Sequence, residues 1–334
     1  MASLSMIQRE PPRNLSKAPE NGPEVRPLVL EAVVRRISQV VRDKDDVIRL
    51  MLIGVLARGH LLLEDVPGVG KTTLARALAR ALGGSFSRVQ LTSDLLPADI
   101  LGGHVLDKKS GELVLRRGPI FANIVLADEL NRATPRTQSG LLEAMAERSV
   151  SIEGVTHALP EPFLVIATQN PSEHHGVYPL PESQLDRFLV RTSVGYPGED
   201  VERSLLVGRS GPTNDVDSIE PALTPEHVSK LCTSVDEVAL GDEGAAYLQA
   251  IVRATRESRA LEIGVSTRGL LSYARAVRAR ALISGRTFVT PDDVHALAVP
   301  VCAHRVVLKG SRRADRVEAE AVIRELVTRV PVPV

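Results

Sequence analysis

The stretch that decides the fold reads His60-Leu61-Leu62-Leu63-Glu64-Asp65-Val66-Pro67-Gly68-Val69-Gly70-Lys71-Thr72-Thr73. A short apolar run reads as a strand, a Pro- and Gly-rich turn follows it, and helical periodicity then runs from Thr72 to Leu82. This strand, loop and helix order is what a phosphate-binding loop requires. Glycines let backbone N–H groups approach phosphate oxygens closely, and the helix N-terminus adds positive potential. The residues placed to hold a nucleotide are Val66, Pro67, Gly68, Val69, Gly70, Lys71, Thr72 and Thr73. Lys71 would reach the β and γ phosphates, and the Thr72 hydroxyl would hold Mg²⁺. One position departs from the usual motif: Asp65 stands where its first glycine is expected.

Outward from this loop, residues 87–91, 124–127, 163–167 and 188–190 repeat the short apolar pattern, with helical segments between them at 72–82 and 137–148. Continuous apolar strands alternating with helices predict a parallel sheet covered on both faces. Two of these strands end in polar residues suited to the same chemistry. The run Ile124-Val125-Leu126-Ala127 ends in Asp128-Glu129. Such an end lies at the carboxyl edge of the sheet, where open α/β folds bind ligands. Asp128 suits Mg²⁺ through water, and Glu129 suits orienting the attacking water. The run Val165-Ile166-Ala167-Thr168 leads to Gln169-Asn170, and Asn170 could hold the water or the γ-phosphate. By itself that segment reads as a strand ending in an Asn-Pro turn. The reaction implied is Mg²⁺-dependent hydrolysis of ATP to ADP and phosphate.

The flanks are helical. An amphipathic pattern begins at Leu28, and a second helix covers residues 47–57 and stops at Gly59. Past Tyr196 the strand signals fade, and residues 225–232, 243–259, 268–284 and 291–303 read as helices. Thr224-Pro225 and Thr290-Pro291 are good helix starts, a capping hydroxyl before a proline at the first helical position. The organisation expected is a disordered arm at 1–27, an α/β core at 28–198, a linker at 199–222 and an all-helical domain at 223–334. Hydrophobic residues make up 43% and charged residues 25%, and the formal net charge is zero. That lowers nucleic-acid binding, which usually shows a basic excess or stripe. The arm has no apolar core, and no stretch approaches the ~20 apolar residues of a membrane span. The expectation is a cytoplasmic protein without membrane insertion. Cys232 and Cys302 lack metal-ligand spacing and read as buried small hydrophobes.

These elements occur in the order and spacing of AAA+ ATPases. Two further segments narrow the resemblance: Gly118-Pro119-Ile120-Phe121-Ala122-Asn123, followed by Asn131-Arg132-Ala133 and residues 138–145, and later Leu180-Pro181-Glu182-Ser183-Gln184-Leu185-Asp186-Arg187-Phe188. From Leu28 onward the chain resembles the MoxR family. The resemblance implies a five-stranded αβα core with a helical lid and hairpin inserts near 102–117 and 150–159. It implies that Arg187 is an arginine finger reaching the next subunit's nucleotide. It makes Arg268 the lid arginine called sensor 2, acting in cis or across an interface. Adenine contacts fall near Val40 and Val41, but Asp43 stands where relatives commonly have glycine. The family context implies self-assembly into a ring, expected to be a hexamer. It also implies a chaperone-like role on protein clients, some carrying von Willebrand factor A domains. Three other readings compete: a nucleotide-gated scaffold with little turnover, a metal-chelatase ATPase subunit, and a DNA-translocating motor. The motor reading is disfavoured by the acidic turn at Glu153-Gly154.

Overall fold

The computed structural model describes residues 25–109, 111–170, 176–207, 216–310 and 316–333. In chain order the helices and strands of the first half are α1 (Val25–Ser38), α2 (Asp45–Leu56), β1 (Leu61–Glu64), α3 (Lys71–Ala81), β2 (Phe86–Gln90), α4 (Pro97–Leu101), β3 (Gly102–Leu106), β4 (Leu113–Arg117), β5 (Ile124–Asp128), α5 (Pro135–Glu147), β6 (Ser149–Ile152), β7 (Val155–Ala158), β8 (Leu164–Gln169), α6 (Glu182–Leu185) and β9 (Val190–Thr192). The second half comprises α7 (Glu199–Leu206), α8 (Pro225–Glu237), α9 (Gly241–Glu257), β10 (Leu261–Ile263), α10 (Thr267–Ile283), α11 (Pro291–Cys302), β11 (Val307–Leu308) and α12 (Arg316–Arg329).

The main sheet has five strands in the order β2-β5-β8-β1-β9, and every pairing is parallel. Its strands are apolar on both sides because both faces are covered. Leu61 and Leu63 of β1 join a core shared with α1, α2 and α3, whereas Leu62 between them joins a second core with α5 and the segment leading into β5. The period-two alternation of a strand sends neighbours to opposite faces. The first of these cores runs on without a break into the lid helices, through Val228, Tyr273, Val277 and Val301. Lid and sheet are therefore packed through one hydrophobic interior. Residues 102–106 and 113–117 form an antiparallel hairpin, as do 149–152 and 155–158. The two hairpins meet where His104 Nδ1 lies 3.1 Å from a Glu153 carboxylate oxygen.

Several boundaries differ from the sequence expectation. The first helix starts at Val25, so residues 25–27 are helical, while the rest of the expected arm lies outside the described residues. Residues 199–206 of the expected linker form α7, and 208–215 lie outside the described residues. The last sheet strand begins at Val190 and not at Phe188. The Phe188 and Leu189 carbonyls are taken up instead by Arg305 and His304 of the lid. The lid also carries a short antiparallel ribbon, β10 with β11, and a final helix, α12. Both cysteines are buried and free, and burial pushes the Cys302 thiol up to about 12.

Candidate active site

The strand order decides which chain ends meet. Because β8 lies between β5 and β1, the carboxyl ends of three neighbouring strands deliver Asp128-Glu129, Thr168-Gln169-Asn170 and the Asp65–Thr73 loop to one edge. In the loop, Gly68 and Gly70 adopt φ of +86° and +87°, and a Cβ added at either would meet nothing within 4 Å. Only glycine takes that left-handed geometry without strain, and the open space beyond leaves room for a ligand against the backbone. Gly70 ends the loop and Lys71 begins α3. The Lys71 ammonium donates to the Asp65 carbonyl at 2.9 Å, so it lies folded over the loop. Val69 is buried beneath the loop, while Pro67, Gly68 and Thr73 are exposed and Val66 and Thr72 half-buried.

The unusual Asp65 turns out to be an anchor. Its carboxylate is buried and accepts three backbone N–H groups: Val66 at 2.9 Å, Val194 at 2.7 Å and Gly195 at 2.6 Å. It ties the start of the loop to the chain leaving β9. Asp43 fits for a different reason. It takes φ +58°, the left-handed conformation a glycine would supply, which Asp tolerates better than most residues. Lys44 next to it donates to the Tyr196 carbonyl at 2.7 Å, so the half-buried Val40 and Val41 stand near the same β9 exit.

The acidic pair is held from both sides. The Thr168 hydroxyl donates to Asp128 Oδ1 at 2.6 Å and accepts from the Glu129 N–H at 2.9 Å. Glu129 sits at φ +58°, a sharp turn that swings its side chain off the strand end. Its carboxylate accepts from Gln90 Nε2 at 2.7 Å and lies 3.2 Å from Arg132 Nε. Arg88 on β2 reaches Asp128 Oδ2 at 2.6 Å and Gln90 Oε1 at 3.0 Å. Asn170 is buried at the end of β8. Thr168, Gln90 and Arg88 carry no local motif of their own; the one sequence signal was a polar residue closing or lining an apolar strand.

The two predicted arginines make no bond to this group among the described residues. Arg187 donates to the Leu142 carbonyl of α5 at 2.5 Å. Arg268, in the first turn of α10, is exposed, and its side chain makes no hydrogen bond or ion pair among the described residues. Within one chain, the structure brings the loop, the acidic pair and Asn170 to neighbouring strand ends, while Arg187 bonds α5.

Comparison with known proteins agrees with this geometry. Residues 60–190 match the ATPase family associated with various cellular activities, and residues 253–326 match the AAA lid domain. YeaC of Bacillus subtilis, itself uncharacterized, is 44% identical over 93% of this chain and 97% of its own length. Chaperone MoxR1 of Mycobacterium tuberculosis is 39% identical over 91% of this chain and 82% of its own. A crystal structure of a candidate ATPase from Cytophaga hutchinsonii superposes with a TM-score of 0.86 at 31% identity, covering 93% of this chain and 97% of that one. With such identities sustained along nearly the whole length, the chain belongs to the MoxR family of AAA+ ATPases.

Proposed function

We propose that this protein hydrolyses ATP in a site completed by a neighbouring copy of the chain, and uses the cycle to remodel partner proteins. The observation that carries this reading is the convergence of the Lys71 loop, Asp128-Glu129 and Asn170 on adjacent strand ends. Phosphoryl transfer asks little covalent chemistry of a protein, so positioning and charge neutralisation do most of the work. The loop N–H groups and the Lys71 ammonium hold the phosphates, with Lys71 exchanging the Asp65 carbonyl for a phosphate oxygen. Glu129 orients water, and Asn170 sits beside it at the end of the next strand. Thr168 fixes both acids by bonding one side chain and the other backbone.

The residues also fit Mg²⁺. Among the described residues each Asp128 oxygen accepts one side-chain bond, leaving further lone pairs, and a Thr72 hydroxyl with a carboxylate is the oxygen donor set a hard cation prefers. Bound there, the ion would neutralise charge on the β and γ phosphates.

Assembly into a ring, read as a hexamer, is supported by the placement of Arg187. It is an arginine in the family's finger position that bonds α5 of its own chain rather than its own phosphate loop. The chaperone role is supported by the relative named Chaperone MoxR1. Protein clients, including proteins with von Willebrand factor A domains, follow from the family resemblance, and the cytoplasm is the compartment read from the sequence composition. The turn between β6 and β7 carries Glu153 engaged by His104, which favours protein over nucleic-acid partners. Mixing two inactive variants, Arg187→Ala and Glu129→Gln, under subunit exchange tests the shared site. Partial return of ATPase activity is expected, since some interfaces then pair an intact Glu129 with an intact Arg187. Mixed assemblies without recovery would place Arg187 in its own chain's site or outside the chemistry.

A further inference from the structure

The lid contains a buried arginine that the nucleotide chemistry above does not use. Arg305 lies just past α11, with a side chain 1% exposed. Guanidinium has five N–H donors in a fixed fork, and every one finds an acceptor. Nε donates to Asp186 Oδ1 at 2.9 Å. One terminal nitrogen donates to the Leu189 carbonyl at 3.1 Å and to the Val301 carbonyl. The other donates to the Phe188 carbonyl at 2.6 Å and the Asp186 carbonyl at 3.3 Å. All but the Val301 bond go to the four-residue segment 186–189, the segment that contains Arg187.

The same group also touches the start of α10. The second Asp186 oxygen accepts from the Ser266 hydroxyl at 3.1 Å, and that hydroxyl accepts from the Gly269 N–H at 3.0 Å, capping the helix whose first turn carries Arg268. Gly269 is glycine for a local reason: a Cβ there would stand 2.9 Å from Arg305 Cδ and 2.7 Å from Val265 Cγ1. Burying a charged pair costs desolvation energy, and lid–core adhesion alone could be met by apolar packing at less cost. A rigid fork gives direction where apolar contact does not.

We infer that Arg305 is a positioning residue that holds the Arg187 segment and the Arg268 turn in one fixed relation, so that lid orientation sets where Arg187 points. The inference rests on the reading of Arg187 as the arginine finger. A lysine keeps the charge but cannot make the fork, so Arg305→Lys leaves Arg187 in place chemically and loosens its aim. Displacement of a positioned group by about 1 Å costs on the order of 10²-fold in rate. The expected result is a folded protein with unchanged KM for ATP and kcat lower by about that factor.

Two comparisons separate positioning from mere loss of fold. Combined in one chain, Arg187→Ala and Arg305→Lys should be no slower than Arg187→Ala alone, whether Arg187 serves its own site or a neighbour's. Multiplying losses would overturn the inference. In mixing experiments, Arg305→Lys should recover activity with Glu129→Gln and fail to recover it with Arg187→Ala, because it damages the same half of the site. Recovery with Arg187→Ala would also overturn it. If Arg187→Ala and Glu129→Gln do not complement each other, the shared-site reading fails, and the double variant alone decides the role of Arg305. If Arg187→Ala is fully active, both readings fall. Should Arg305→Lys not fold, Gly269→Ala pushes a methyl against the Arg305 stem while keeping its charge. Wild-type kcat in that folded variant would be decisive against the proposal.

Discussion

Replacing Asp65 by glycine would restore the residue usual in phosphate loops, and a motif-based view expects it to be harmless. The structure predicts the opposite. The Asp65 carboxylate accepts the N–H groups of Val66, Val194 and Gly195, at 2.9, 2.7 and 2.6 Å. Hydrogen bonds to a charged group contribute roughly 1.5–3 kcal/mol each, and buried donors left alone cost about 1–3 kcal/mol. Water can reach the half-buried Val66 and Gly195 positions, and losses within one group do not add, so about 3 kcal/mol is the expected net cost. Glycine also loosens the unfolded-state restraint, which acts in the same direction. At roughly 2–4 °C per kcal/mol, the transition reporting the core falls by about 6–12 °C. The loop, released from the β9 exit, should bind nucleotide more weakly. Asp65→Asn keeps one accepting oxygen and should fall between the two. The assay is a thermal melt of each variant beside titration with a fluorescent ATP analogue. A glycine variant that melts and binds like the parent would refute the anchoring argument.

Two further predictions come from buried and charged groups. His60 is fully buried, accepting the Val165 N–H at Nδ1 and donating from Nε2 to the Met145 carbonyl, and desolvation lowers its pKa from 6.5 to about 4. The unfolded chain therefore takes up the proton first. The stability this group confers is complete above about pH 6.5 and is lost as pH falls toward 4, on the order of 3 kcal/mol. Denaturant unfolding from pH 7 to 4 should show that slope, flattened in His60→Gln; an equal slope in both would exclude His60 as its source. Arg88 competes with any cation at Asp128, and its side chain is 47% exposed, so its pairing is screened to about 1 kcal/mol. Arg88→Ala should lower the Mg²⁺ concentration for half-maximal ATPase activity by on the order of fivefold, and an unchanged or higher requirement would argue against competition.

What the sequence made legible was local. The phosphate loop, the acidic strand end and the strand ending at Asn170 each lie within a few consecutive residues, where apolar period and turn chemistry are visible together. The alternation of those runs implies a parallel sheet covered on both faces, the fading of strand signals past Tyr196 implies a helical domain, and the lid is what the family resemblance adds. Contacts between distant residues were not legible. Asp65 stands out in the sequence only as a departure from the motif, because two of its partners, Val194 and Gly195, lie just past β9, about 130 residues along the chain. Arg88 and Gln90 became site residues only once β2 was registered on β5, with Gln90 opposite Asp128. The strand at Phe188 starts two residues later than its apolar pattern suggested because Arg305 and His304 claim those carbonyls from the lid. Polar residues on an apolar strand or after a helix look like surface charges until the topology brings their partners in.

If the end of β5 activates water, nucleotide binding and turnover separate at Glu129. Glu129→Gln keeps the size of the side chain and its capacity to bond Gln90, while removing the carboxylate that would orient water. ATP affinity and phosphate release should be measured on one preparation of parent and variant with Mg²⁺ present. Parental affinity with phosphate release slower by about 10²–10⁴-fold is expected. Parental phosphate release from Glu129→Gln would contradict that expectation and move the catalytic role away from the end of β5.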